Sequence, residues 1–427
     1  MTLPRRTWLK LGGAAALAAL PLPLILGRRR ERASHLVRDP SGVLDLAPGL
    51  SYRVLSRTGS TMSDGLRVPG MPDGMACFPL GAERWVLMRN HEVGRMVGQG
   101  AVGPSQTPPT EAYDPTAHGG VTRVVLEPKA LSVESENLVL TGTLRNCAGG
   151  VSPWGWLSCE ESVEAGHGYV FLCRTDATRV AAPHKIPSYG RFNHEAAVVD
   201  PTNLVAYLSE DRSDGCLYRF VPKASGRPFE GRLQAMALPD APSQDTARGF
   251  PLGRRQRVEW VDIDEPDPKT DTVRKQAHAR GAAKIRRGEG LWLAQGVLYL
   301  AATTGGSAGV GQIFRLHLEP RGDTFELLAE SPGEDVLDCP DNLTIAPSGD
   351  VIIAEDGSGE QLIRGITLDG RVYDIACNAK SRGEIAGVCF SPDGRVMFAN
   401  LQREGLTLAI SGDFARVRAD APKVRGA

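Results

Sequence analysis

The stretch "DNLTIAPSGDVIIAEDG", residues 341–357, holds two short β-branched runs around the turn residues Pro347-Ser348-Gly349-Asp350, with acids at both outer ends. Two extended runs joined by such a turn predict a β-hairpin. The second run has five further copies: "ERWVLMRNHE" (83–92), "GWLSCEE" (155–161), "NLVAYLSEDR" (203–212), "GVLYLAATT" (296–304) and "GRVMFANLQ" (394–402). Each follows a first run about ten residues earlier, among them "DGMACFPL", "NCAGGVSP", "HEAAVVDP", "GEGLWLA" and "GEIAGVCFSPDG". A hairpin repeated six times at intervals of roughly 45 to 90 residues predicts an all-β fold, a six-bladed β-propeller. A β-sandwich would not repeat one pattern six times. The 49 glycines and 30 prolines suit many short strands and turns.

In a propeller the first strand of each blade lines the central channel. The first runs open with Asn146-Cys147, Glu195, Glu289, Asn342 and Glu384; the second runs end with Glu92, Glu160-Glu161, Glu210-Asp211 and Glu355-Asp356. Antiparallel pairing puts the start of one run beside the end of the next, so these groups converge at one mouth of the channel. Two like charges 4 Å apart repel by about 4 kcal/mol at an effective dielectric constant of about 20. A ring of acids therefore requires bound cations or raised pKa values. Carboxylate and amide oxygens suit Ca²⁺, and a thiolate among them suits a transition metal.

The domain reading follows from the same pattern. Residues 35–427 form a single propeller, with residues 221–286 as a longer insertion supplying outer strands of one blade and a loop or short helix. Residues 1–34 stand apart. Arg5-Arg6 precede the apolar, Ala/Gly-rich run "LGGAAALAALPLPLILG", the pattern of a twin-arginine export signal. That run is short for a membrane span and holds two prolines. The expected location is the periplasm or the exterior, reached through the twin-arginine translocation machinery. No small-residue cleavage site precedes "GRRRERAS", so retention at the membrane by an uncleaved signal stays open.

Residues 1–33 carry seven basic residues and one acid, leaving 42 basic and 49 acidic residues in the body, a net of −7. That balance argues against nucleic acid as a partner. Export in folded form means that the eight cysteines form no disulfides needed for folding, so buried thiols are expected. The sequence "GGSAG" (305–309) matches a nucleophile elbow literally, but a strand-like run follows where a helix is required, so Ser307 is a turn residue. In both "NHE" motifs His and Glu alternate faces on a strand. The Glu is expected in the site, with His91 and His194 packing beside it or contacting substrate.

Taken together, the twin arginine, "RNHE", "NCAGG" with "GWLSCEES", "GRFNHEAAVVD", "LSEDR", "RRGEGLW", "DCPDNLT", "AEDG" and "GEIAGVCFSPDGRVMFAN" resemble the exported PhoX alkaline phosphatases over nearly the whole chain. The resemblance implies a site with two ferric and three calcium ions and hydrolysis of small phosphomonoesters by a metal-bound oxide or hydroxide. It implies Cys147 as an iron ligand, and Glu160, Glu195, Asp211, Glu289, Asn342, Glu355, Asp356 and Glu384 as further metal ligands. Arg287 matches the phosphate-contacting arginine. Arg287, Cys147 and Glu289 are thus the expected catalytic residues, and Arg287 and His194 the expected substrate contacts. The expected molecule is a monomer that is not embedded in a membrane. This chain departs from the family's R-P-E-G at Arg287-Gly288-Glu289-Gly290, and it is a short member. Two rival functions remain: a calcium-dependent propeller lactonase or esterase, which needs no thiolate, and a non-catalytic calcium-binding propeller.

Overall fold

Turn residues every few positions leave no stretch for a long helix, and the chain becomes a succession of short antiparallel strands. The computed structural model describes residues 35–420 except 97, 104 and 105; the segment expected to be an export signal lies outside them. Six sheets follow one another. The first blade is Pro72–Leu80, Arg84–His91, Gly119–Glu127 and Ser132–Thr143. The second is the short set Gly150–Ser152, Gly155–Cys159, Val170–Cys173 and His184–Lys185. The inner strands of the remaining four are His194–Val199, Gly288–Ala294, Pro340–Ile345 and Ile385–Phe390.

The ring closes with strands from the beginning of the described chain. Leu50–Arg57 pairs with Leu406–Gly412 as the outer strand of the sixth blade, and Leu44–Leu46 pairs with Val372–Asn378 on the fifth. Distant parts of the sequence thus complete the last two blades and cover their open edges. The insertion does more than expected. Gln256–Arg257 adds to the fourth blade and Glu259–Asp262 to the third, so it serves two blades rather than one. Its basic, Ala-rich piece contains the short helix Val273–Ala279.

Apolar side chains fill the wedges between blades. Phe314 stacks on Phe325 at 4.8 Å between centroids, with Phe250 edge-on to both. Between the first two blades, Trp156 and Phe171 pack on Val86 and Met88. Each fully buried aromatic is worth about 2–3 kcal/mol of transfer free energy, which holds neighbouring sheets together.

The inner strands share one irregularity that makes the site. Near the mouth, after the pairs Pro72–His91, His194–Glu210, Gly288–Ala302, Pro340–Glu355 and Ala386–Asn400, the register shifts by a bulge. In the second blade the Asn146–Glu160 bridge lies at the same place. A bulge inserts a residue and re-aims its side chain. The residue following these pairs is Asp73, Cys147, Glu195, Glu289 and Asp341 in the first five blades, and Gly387 in the sixth. Below this level the axis is nearly closed. A Cβ on Gly74 would lie 1.7 Å from the Ala148 carbonyl oxygen, and one on Gly387, at φ +64°, would lie 2.3 Å from that of Asp73. A cavity of about 20 Å³, lined by Gly74, Ala148, Gly290, Asn342 and Gly387, is what remains there, about the room of one water. The mouth is therefore a basin with a floor.

Candidate metal centre

Two tiers of side chains form the basin. The lower tier comes from the bulges: Asp73, Cys147, Glu195, Glu289 and Asp341. Gly387 brings no ligand in the sixth blade, and Glu384, just ahead of that strand, supplies the carboxylate. Glu195, Glu289 and Asp341 bring carboxylate oxygens within 4.8 Å of one another, and so do Asp341, Asp356 and Glu384. Asp341 is common to both groups. The Cys147 Sγ lies 3.1 Å from the His194 carbonyl oxygen and 3.6 Å from that of Glu195.

The upper tier comes from the ends of second strands. Side chains there alternate between blade interior and basin. Of each acid doublet, the first member turns into its blade and the second faces the basin. Glu160 accepts the backbone N–H groups of Leu144 (2.9 Å), Gly168 (2.8 Å) and Tyr169 (3.2 Å) and pairs with His167 Nδ1 (2.6 Å). Glu210 accepts the Tyr218 hydroxyl, and Glu355 pairs with Arg364 Nε at 2.7 Å and accepts the Asp338 N–H. Glu161, Asp211 and Asp356, with Glu92 from the first blade, are left on the rim. Gln402 donates to both Asp73 (2.9 Å) and Glu92 (3.0 Å).

The electrostatics of the two positions differ accordingly. Burial and neighbouring acids hold Asp73, Glu195, Glu289 and Glu384 well above the usual carboxylate range. Burial, reinforced by Glu161, pushes Glu92 up to about 8. Asp341, buried and facing Asp356, rises to about 7, and burial lifts Asp356 to about 6. Burial next to Glu195 pushes the Cys147 thiol well up. Arg287 is the main counter-charge. It donates from Nε to Asp211 Oδ1 (2.9 Å) and from Nη2 to Asp211 Oδ2 (3.1 Å) and Glu289 Oε1 (2.8 Å). Burial works against its charge, but Glu289 and Asp211 outweigh it and keep the guanidinium protonated.

Arg287, with Arg145 beside Glu161 and Glu92, cannot balance so many acids, and cations can. The donor set fits them: crowded carboxylates for hard ions, a thiol at one side, and a buried Asp73 Oδ1 without a hydrogen-bond partner. The comparison with known families bears on the same residues. The family model "Alkaline phosphatase PhoX" matches residues 32–137 and 129–405.

The chain belongs to the PhoX family.

It is accordingly a phosphatase, a phosphoric monoester hydrolase. Pseudomonas fluorescens PhoX, solved in complex with the transition-state analogue vanadate, shares its fold at a TM-score of 0.66 and 16% identity, covering 87% of this chain and 96% of that one. A Xanthomonas campestris gluconolactonase aligns at a TM-score of 0.45 and 12% identity, over 88% of this chain and 99% of that one. No curated protein sequence matches the chain.

Within this PhoX-family basin the structure gathers Cys147, Glu195, Asp211, Arg287, Glu289, Asp356 and Glu384 of the residues expected from sequence. Three it places elsewhere: Glu160 and Glu355 are turned into their blades, where protein donors take their oxygens. His194 is fully buried, stacked on Phe192 at 3.6 Å, with Nε2 on the Gly190 carbonyl. Burial lowers its pKa to about 3. Asn342 points down the axis, donating to Asp341 and accepting the Gly387 N–H, so it orients a basin acid. Sequence reasoning left Asp73, Glu92, Glu161 and Asp341 out of the ligand set. Asp73 and Asp341 open the first runs of their hairpins, as Glu289 and Glu195 do within a residue, so strand position is the signal that could have found them. Strand alternation says that one member of each doublet faces the basin, without saying that it is Glu161 rather than Glu160. All eight cysteines are free thiols, six of them buried and Cys77 and Cys339 partly exposed.

Proposed function

We propose that the basin is the centre of an exported, metal-dependent phosphomonoesterase holding two ferric and three calcium ions. The observation that carries this is the pair of carboxylate groups sharing Asp341, beside a guanidinium fixed by Asp211 and Glu289. Glu195, Glu289, Asp341, Asp356 and Glu384 would hold the ions, joined by Asp73, Glu92, Glu161 and Asp211, with the Cys147 thiolate on iron. When bound, such ions neutralise phosphate oxygens and acidify the attacking water.

The remaining work falls to the chain. Arg287 binds the phosphate. Asp211 and Glu289 occupy its Nε and Nη2 and fix the plane of the guanidinium, so its Nη1 hydrogens are aimed at a phosphate oxygen. Gln402 and Asn342 orient Asp73, Glu92 and Asp341, and the closed floor confines substrate to one entrance. The route of export is the twin-arginine pathway, the product is released in the periplasm or outside, and the molecule acts as a monomer. No helix among the described residues is long and apolar enough to cross a membrane.

Elemental analysis of protein purified from the periplasm, paired with a phosphomonoesterase assay before and after chelation, tests the reading. Iron with calcium and chelator-sensitive hydrolysis is the expected result. Calcium alone, with hydrolysis of a lactone, would replace it by the lactonase. Cys147→Ala is expected to lose iron and activity together; an active, iron-replete variant removes the thiolate from the scheme.

A further inference from the structure

The acidic rim has one gap. Glu92, Glu161, Asp211 and Asp356 end second strands in four blades and Gln402 in the sixth, but the fourth ends in Thr303-Thr304. The Thr303 hydroxyl is spent on the Pro340 carbonyl at 2.8 Å. Beyond it runs Gly305-Gly306-Ser307-Ala308-Gly309, a loop of small residues. A cleft of about 500 Å³ opens there, lined by Thr304, Gly306, Ser307, Gly309, Arg248 and Arg286. It adjoins the basin through the chain itself, since Thr304 follows the rim residue Thr303 and Arg286 precedes the phosphate-binding Arg287.

The cleft lacks the acidic character of the rim and is lined by two arginines. Arg286 donates from Nη2 to Asp245 Oδ2 at 3.0 Å, and its buried Nε has no hydrogen-bond partner. Arg248 is exposed. The nearby Glu330 is already engaged, one oxygen accepting the Ser307 N–H at 2.9 Å and the other Gln312 Nε2 at 2.9 Å. Two arginines line the cleft against Asp245 and Glu330 beside it, so the cleft is close to neutral and leaves the exposed Arg248 to meet an anion. With the acids on the other sides holding the ions that would take the free phosphate oxygens, the ester oxygen of a phosphate held by Arg287 is left to this gap.

Given the phosphomonoesterase reading, on which this rests, we propose that the cleft is the leaving-group subsite. It selects phosphomonoesters whose alcohol portion carries a second anionic group, typically a carboxylate, through Arg248 and Arg286. The loop's small side chains provide the space, and Arg248 provides the discrimination. Ser307 acquires a role here as lining rather than as nucleophile.

The test compares 3-phosphoglycerate with glycerol 3-phosphate, which differ by a carboxylate in place of a hydroxymethyl group. In the metal-loaded protein, kcat/KM is expected to favour the carboxylate by about fivefold, the upper size of one exposed ion pair. In Arg248→Glu and separately in Ser307→Glu, that ratio is expected to fall to one or below. Both positions are on the surface of the cleft, so folding is not at stake, and the ratio cancels differences in the amount of active protein. Equal use of both esters by the native protein, or a ratio unchanged in both variants, overturns the subsite. Hydrolysis of neither ester instead overturns the phosphatase reading, so the two failures are distinguishable.

Discussion

Glu160 and Glu161 are neighbours in sequence and opposites in chemistry, and the same holds for Glu210-Asp211 and Glu355-Asp356. The inward member is met by protein donors: three backbone N–H groups and His167 for Glu160, the Tyr218 hydroxyl for Glu210, Arg364 for Glu355. The basin member faces other acids, with Arg287 beside Asp211 and the Asn193 amide on Glu161 as its protein donors. The first kind of carboxylate is tied into its blade by those donors, although burial still raises Glu210 to about 8. The second sits among like charges, which a bound cation or, at Glu161 and Asp356, a proton relieves. One strand residue therefore separates a structural acid from a functional one.

The strongest way to break this contrast is Asp341→Asn, which removes the acid shared by both groups. Loss of metal content and of kcat/KM by on the order of a thousandfold is expected, comparable to deleting a principal electrostatic contact. The chelated variant should melt no lower than the chelated parent, because one like charge has gone. A marked drop in its melting temperature would make Asp341 structural.

Next in size is the pH response of the chelated protein. Glu92, Asp341 and Asp356 have folded-state values raised to about 8, 7 and 6, above the roughly 4 of an unfolded chain. A raised carboxylate value means stability is fully present below about pH 4 and is lost as pH climbs through the folded values. The metal-free protein is thus expected to weaken steadily from pH 5 to pH 8, by about 1.4 kcal/mol per pH unit for each proton that the folded state holds in excess. Iron and calcium should flatten the curve. Thermal melts with and without chelator measure it, and a metal-free curve that rises with pH would contradict the basin's charge balance.

Glu160→Gln examines the other side of the contrast. It loses acceptors for buried donors, at about 2–3 kcal/mol, read by urea denaturation, while metal per folded molecule stays unchanged. Metal loss without a loss of stability would move Glu160 back among the ligands. The smallest expected effect is that of Arg287→Lys, which keeps the charge but not the fork. About a tenfold drop in kcat/KM is expected with metal content intact; a drop in metal instead would show that the arginine's task is to hold Asp211 and Glu289.

Much of the molecule was legible because it is local. Strands such as "DVIIAED" announce themselves by β-branched runs between turn residues, and six recurrences imply six blades. The acids were legible as a population at strand ends. Which member of a doublet faces the axis was not, because a one-residue change of register exchanges the two faces. The bulge after Pro340 turns Asp341, rather than Asn342, toward the other acids, and the sequence carries no mark of that bulge. His194 looked like a substrate contact because it adjoins Glu195, yet alternation sends it between the second and third blades against Phe192.

By itself, then, the sequence determined an all-β chain of six similar hairpins, acids gathered at one end of each, and thiols in place of disulfides. Those properties depend on side-chain period, turn chemistry and composition, which act over a few residues. Only the tertiary structure decided that Asp73 and Asp341 join Glu195, Glu289 and Glu384 while Glu160 and Glu355 do not, and that the fourth blade leaves the acidic rim open beside Arg287. Those outcomes require the ring to close, with Leu44–Leu46 and Leu50–Arg57 completing blades hundreds of residues away, and closure fixes which way each bulged residue points.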